Sequence, residues 1–431
     1  MIPSTKSFLF GGLLAAAFLP VHAADATHWK FSFGPGPAPA GSVAVDPHEV
    51  YSAAKGYGFE PGSTPLAVAR PPGSGFVTGS QPFYFSVALP EGEYQVTVAL
   101  GDPTAPALTT VKAELRRLEL LHVRTAAGEL ATRTFTVALR RPEFPGGKVR
   151  LKPREKSTEV WDWDDKLTLE FCDQRPCVAS VEIVPVTDRP TLYLVGDSTM
   201  TDQPREPHNS WGQMITSFFG PDIVVSSHAE SGESARDFIS ENRWAKLMSL
   251  IKPGDFVIIQ FGHNDQHDRG PNPGAYASYS TFLHRYVAET RAHGATLVLV
   301  TPMNRLAFDG DTVTNTLGDF PDAMRKVAKD DGVALVDLNA MSKVLYEALG
   351  PKGAPAIFAP TPRGPDTTHQ GDYGSYELSK CVVRGIRLGV PELAKYLAPD
   401  APQFDPAHPD PVAAFDVPKE KLTTTERPYG N

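Results

Sequence analysis

Cysteine is scarce in this sequence, with Cys172, Cys177 and Cys381 the only three. That is too few to staple a small loop-rich scaffold, so a hydrophobic core has to hold the fold. Cys172 and Cys177 flank the turn-like stretch Phe171-Cys172-Asp173-Gln174-Arg175-Pro176-Cys177, where a bridge would pin a local hairpin. No second Cys or His pair stands at ligand spacing, which argues against a zinc site. Net positive charge is also missing: 41 Lys and Arg face 50 Asp and Glu, a formal charge of -9. The chain therefore has no overall basic footprint for nucleic acid, and an anionic partner would have to be met by local arginines. Long apolar runs are absent too. The longest, Phe8 to Leu19, has about 12 residues, against the roughly 20 that cross a bilayer. With Lys6 before it and Val21-His22-Ala23 after it, this run reads as an export signal over residues 1–23. The mature chain is expected to start near Ala24 or Asp25, in the periplasm or outside the cell, without membrane insertion.

What is present suits an ordinary globular protein: 431 residues, 41% hydrophobic and 21% charged, enough for two domains. From residue 24 to 187, short alternating runs such as Phe83-Tyr84-Phe85-Ser86-Val87 and Leu167-Thr168-Leu169-Glu170-Phe171 are separated by Pro and Gly turns. This predicts an all-β sandwich or jelly roll, with Val111 to Val123 readable as helix or strand. After Asp188-Arg189-Pro190 the pattern changes to apolar strands alternating with helical segments, over residues 190–398. Strands are expected at Thr191 to Val195, Ile223 to Ser226, Phe256 to Phe261, Thr296 to Thr301 and Ala334 to Asp337. Helices are expected at Trp211 to Phe219, Ser234 to Trp244, Tyr276 to Ala292, Phe320 to Lys329, Met341 to Leu349 and Tyr373 to Leu388. The fold class is α/β, a parallel sheet covered on both faces, whose ligands bind at the carboxyl ends of the strands. Residues 399–431 are rich in Pro, Asp and Thr and read as an extended wrap or a disordered end.

Four short segments sit where such a sheet would place a site. Gly196-Asp197-Ser198-Thr199 follows the first strand, so Ser198 stands in a βα loop either as a nucleophile or as a helix cap. Glu230-Ser231-Gly232-Glu233 follows the second, where Gly232 lets a backbone N–H approach an anion or simply makes a turn. Gly262-His263-Asn264-Asp265 follows the third, and Asn264 offers a side-chain amide or a turn residue. Asp366-Thr367-Thr368-His369 puts a carboxylate and an imidazole on one short loop, able to orient and deprotonate a hydroxyl. As a metal site this pair lacks a third ligand.

The four segments in this order resemble the SGNH, or GDSL-type, hydrolase superfamily, over Thr191 to Leu388. The resemblance implies a flavodoxin-like three-layer domain with Ser198 as nucleophile and Asp366 and His369 completing a triad. It also implies an oxyanion hole from Ser198, Gly232 and Asn264, and a cycle through an acetyl-enzyme that needs no cofactor and no metal. Gly196-Asp197-Ser198-Thr199, Gly262-His263-Asn264-Asp265 and Ser234-Ala235-Arg236 look like the rhamnogalacturonan acetylesterase group. One departure is Glu233, where that group commonly has a basic residue. The amino-terminal half, with Phe31-Ser32-Phe33-Gly34 and Gly56-Tyr57-Gly58-Phe59, is similar to β-sandwich modules that precede bacterial members; it would bind carbohydrate or brace the catalytic domain.

The resemblance thus implies an acetylated polysaccharide or oligosaccharide as substrate. Rhamnogalacturonan comes first, and acetylxylan or another acetylated glycan second. Arg236 and His208 are candidate substrate contacts, with Arg205, Arg243, Arg305 and Arg363 also near strand ends. Trp211 and Trp244 fall on helical segments, where packing is expected rather than sugar stacking. A lipid or acyl-thioester hydrolase would need a broad apolar groove, which the polar loops Thr201 to Asn209 and His263 to Pro273 argue against. A purely carbohydrate-binding role would leave the four segments without a task. The oligomeric state is not legible.

Overall fold

The computed structural model describes residues 28–70, 73–419 and 423–429, so the expected export signal lies outside the described residues. Alternating side chains build the first half. Phe83, Phe85 and Val87 of strand Phe83–Ala88 are buried on one face, as are Leu167, Leu169 and Phe171 of Lys166–Arg175. These strands pair antiparallel in a five-stranded sheet ordered Tyr57–Phe59, Phe83–Ala88, Lys166–Arg175, Ala107–Ala113, Arg117–Thr125. A second sheet runs Ala131–Leu139, Gly92–Leu100, Cys177–Pro185, Trp29–Phe33, Val43–Val45, with Gly73–Thr78 and Leu66–Arg70 added beside Cys177–Pro185. Val96, Val98, Val181 and Ile183 of this sheet share one core with the phenylalanines of the other. Each such side chain contributes about 1.5–3 kcal/mol by leaving water.

Two points that the sequence left open are decided by the structure. The ambiguous Val111 to Val123 stretch lies in an antiparallel hairpin, Ala107–Ala113 with Arg117–Thr125. Both faces of Ala107–Ala113 are covered, so the strand lost the polar–apolar alternation that would have marked it. Cys172 and Cys177 are unpaired, and no hairpin joins them. Their strands belong to different sheets, so the chain crosses the sandwich between the two residues. The Cys172 thiol lies 3.7 Å from the Thr110 carbonyl oxygen, and the Cys177 thiol 3.6 Å from the Thr78 hydroxyl.

The last sandwich strand ends at Pro185, and the α/β part starts with Thr191–Gly196. Five parallel strands stand in the order Val224–Ser227, Thr191–Gly196, Phe256–Gln260, Thr296–Val300, Ala334–Val336. Successive residues feed opposite cores: Leu192 and Leu194 pack on one face with Trp211 and Leu378, and Tyr193 and Val195 on the other with Trp244 and Tyr286. Helices cover both faces, including Trp211–Ile215, Ser280–Ala292, Phe320–Asp331, Leu338–Gly353 and Asp372–Gly389. The segment expected as one helix from Ser234 to Trp244 is two, Ala235–Ser240 and Arg243–Met248, broken where Asn242 adopts a left-handed conformation. The polar tail is an extended wrap over its described residues. Phe404 and Val417 are buried, Tyr373 Oη donates to Asp410 O at 2.7 Å, and Thr424 N donates to Glu206 O at 2.7 Å.

Candidate active site

The strand order reverses beside Thr191–Gly196, and at such a switch point the loops leaving neighbouring strands splay apart and leave a crevice. Ser198 stands two residues beyond this strand. Its turn is pinned by Asp197, whose Oδ1 accepts from Thr199 N at 2.9 Å and Thr199 Oγ1 at 2.8 Å. The other oxygen faces His263 Nδ1 at 3.4 Å, and His263 in turn reaches Met303 O at 3.1 Å through Nε2. Burial raises the Asp197 pKa, but His263 and the Thr199 bonds outweigh it and hold the carboxyl below its usual range.

Across the crevice, His369 Nε2 lies 3.0 Å from Ser198 Oγ, and His369 Nδ1 lies 3.2 Å from Asp366 Oδ2. The Asp-x-x-His segment expected as a loop is the end of a short strand, Gly364–Gln370, paired with Phe358–Thr361. Asp366 Oδ1 accepts the backbone N–H of Thr368 at 2.8 Å and of His369 at 3.0 Å. With its Nδ1 proton directed at the carboxylate, the imidazole offers Nε2 as an acceptor for the serine proton. This arrangement can activate a hydroxyl nucleophile.

A further residue joins this set from the tail. Arg427 donates from Nε to Asp366 Oδ2 at 2.6 Å and from Nη2 to Asp366 Oδ1 at 2.8 Å. Burial would raise the Asp366 pKa, but the bonds from His369 and Arg427 hold it well below the carboxylate range. A carboxyl whose pKa is lower in the folded chain than the unfolded value of about 3.9 stabilises the fold above that pH, and the contribution fades as the pH falls. Arg427→Ala is therefore expected to melt a few degrees below the wild type at pH 5 to 7, since a half-exposed guanidinium is partly screened. The gap should close as the pH falls below about 4, and melting curves across that range check it.

The loops after the neighbouring strands bring Gly232 and Asn264 to the same crevice. Gly232 has φ +81°, and a Cβ there would run into the Tyr429 ring. Among the described residues no acceptor takes the backbone N–H of Ser198 or Gly232. Asn264 Nδ2 donates to Glu233 O at 2.9 Å, which fixes the amide and leaves its second hydrogen for another partner. Asp265 ties the same turn down by accepting from Gly262 N and Ala235 N, each at 2.9 Å.

A cavity of about 280 Å³ is lined by Gln203, Arg205, His208, Ser231, Arg427 and Tyr429 among others. His208 is buried, and among the described residues neither of its ring nitrogens has a hydrogen-bond partner. Burial, then the neighbouring His369, lower its pKa to about 4, which leaves it neutral near pH 7. Arg236 is not in this cavity: its guanidinium grips the Asp268 carboxylate at 2.9 Å, donates to Pro271 O at 2.8 Å and lies over Phe282. Arg243 is buried against Glu155. Trp211 and Trp244 are core residues, their indole N–H groups donating to Gln260 and Glu289. Sequence reasoning missed Arg427, Gln203, whose amide donates to Ser198 O at 2.8 Å, and Arg154, which lines the cavity. A lone Arg in a polar tail carries no local signal of such a role.

Residues 194–369 match the GDSL-like lipase/acylhydrolase family. Residues 29–142 match a family described as β-agarase/YXIM esterase-like, galactose-binding domain-like. Rhamnogalacturonan acetylesterase RhgT of Bacillus subtilis is 38% identical over 213 residues, covering 46% of this chain and 91% of the relative. The uncharacterized esterase YxiM of Bacillus subtilis is 26% identical over 384 residues, 85% of this chain and 92% of the relative. The crystal structure of the latter aligns with a TM-score of 0.45 at 23% identity, over 84% of this chain and 98% of that one.

Proposed function

The chain belongs to the GDSL-like lipase/acylhydrolase family and is a carboxylic ester hydrolase, and on that premise we propose that it is an exported enzyme removing O-acetyl groups from rhamnogalacturonan. The 3.0 Å approach of Ser198 Oγ to His369 Nε2 carries the catalytic part of this reading. Ser198 attacks the acetyl carbonyl while His369 takes its proton, and the N–H groups of Ser198 and Gly232 with the Asn264 amide stabilise the oxyanion. His369 then gives the proton to the departing sugar oxygen, which leaves as a hydroxyl, and water hydrolyses the acetyl-enzyme by the same route. The residues suffice for this cycle without a cofactor.

The sugar is supported by the likeness to a rhamnogalacturonan acetylesterase and by a polar cavity whose lining includes Gln203, bonded to Ser198 O, and Arg427, bonded to Asp366. Arg205 and His208 offer it donors for carboxylate and hydroxyl groups. His208→Ala is expected to raise KM for the acetylated polymer roughly fivefold to tenfold, the worth of about one hydrogen bond, and to leave kcat on p-nitrophenyl acetate within about twofold. Steady-state kinetics on both substrates check this. The reading as a whole is tested by acetate release from acetylated rhamnogalacturonan, acetylated xylan and a long-chain acyl ester, each with wild type and Ser198→Ala. Release from the pectic polymer that depends on Ser198 supports it, and preference for xylan would keep the mechanism and change the substrate. Release from none would remove it.

A further inference from the structure

The segment between sandwich strands Ala131–Leu139 and Lys166–Arg175 reaches across to the α/β part and takes hold of the loop that carries Gly232. Lys152 Nζ donates to Ser231 O at 2.8 Å, and Arg154 Nη2 donates to the same oxygen. Arg154 Nε also donates to Glu230 Oε1 at 2.8 Å, and Lys152 pairs with the buried Glu233 carboxylate. The segment is itself anchored, with Glu155 accepting from Arg243 at 2.9 and 2.6 Å and Arg150 N donating to Glu241 O at 2.9 Å.

The oxygen these cations share belongs to the Ser231–Gly232 peptide. In a trans peptide the C=O and N–H point in opposite directions from one rigid plane, so fixing the oxygen of Ser231 fixes the N–H of Gly232. Two cations on the carbonyl also polarise the unit, which strengthens its N–H as a donor. At the next residue the Glu233 carbonyl holds the Asn264 amide at 2.9 Å. A grip on Ser231 O and the Glu233 side chain therefore reaches both oxyanion donors that lie outside the Ser198 turn.

We propose that Lys152 and Arg154 of the sandwich domain are positioning residues for the oxyanion hole, so that the sandwich is a working part of the ester-hydrolysing site. This inference rests on the reading of Ser198, Gly232 and Asn264 given above. It differs from a bracing role in what it requires of the kinetics. The cations act on a group that meets the developing oxyanion, so their loss lowers kcat while KM for a small acetyl ester stays put.

The test uses the full chain and p-nitrophenyl acetate. Lys152→Met combined with Glu233→Gln removes the cation without stranding a buried carboxylate, and Arg154→Gln and Arg154→Lys probe the second cation independently. In variants whose melting temperature stays near that of the wild type, kcat should fall about tenfold or more, less than the roughly 10² to 10³ lost with a whole donor, with KM within about twofold. Arg154→Lys and Lys152→Arg should recover much of the loss. Folded variants with wild-type kcat, or a rise in KM alone, would overturn the inference. Should the Lys152→Met/Glu233→Gln protein not fold, the Arg154 pair decides by the same criteria. Ser198→Ala separates the two levels: activity surviving in it sinks the reading of the site, whereas its loss beside intact Lys152 and Arg154 variants sinks only this inference.

Discussion

Ser198→Ala is expected to lower kcat for acetyl-ester hydrolysis by about 10⁴-fold or more while the protein keeps its fold. The Ser198 hydroxyl makes its side-chain hydrogen bond with His369 Nε2, and the turn around it is held by Asp197, Gln203 and backbone bonds that the substitution leaves in place. Removing one oxygen from a buried position costs little packing, so the far-ultraviolet spectrum and melting temperature should stay close to those of the wild type. Kinetics of both proteins on p-nitrophenyl acetate, with active-site titration to exclude carried-over wild type, check the result. Residual hydrolysis within tenfold of the wild type would mean that another group is the nucleophile.

Asn264→Ala should have the next largest effect, a fall of roughly 10² to 10³ in kcat. The amide is held by Glu233 O at 2.9 Å, so its second hydrogen is oriented before substrate arrives and needs no reorganisation as charge develops on the carbonyl oxygen. Alanine removes that donor and also releases the Glu233 carbonyl from its partner. The change should fall on kcat rather than KM, because the ground-state ester carries little charge on that oxygen. Asn264→Asp is a sharper version: it places a carboxylate where an oxyanion forms, and should be slower than Asn264→Ala.

The two architectures were legible because each follows a simple period. Leu167, Leu169 and Phe171 alternate as a half-buried strand must, and Leu192 to Val195 form an uncharged, buried run, as in a strand covered on both faces. Three of the loop segments were legible because a strand end, a glycine and a polar side chain coincide in each, and the fourth because Asp366 and His369 stand three residues apart. Illegible features depend on contacts distant in sequence. Arg427 meets a carboxylate 61 residues earlier, and Arg154 meets Glu230 76 residues later, with no period or motif at either end. Ala107–Ala113 was ambiguous because covering its second face erased the alternation, and Arg236 misled because a strand-end cation can be claimed by Asp268 as readily as by a substrate.

The strap from Thr423 to Tyr429 touches the Asp366 carboxylate through Arg427 and the Gly232 turn through the Tyr429 ring. Anything fused immediately beyond it would hang from the chemistry itself. An affinity handle, a fluorescent reporter or a tether to a solid support attached there would work as a lever on the charge that orients His369, whatever its own size or solubility. Immobilised preparations joined at this point should thus run slower than the free protein, and moving the attachment to the sandwich edge strand Val43–Val45 should restore their rate.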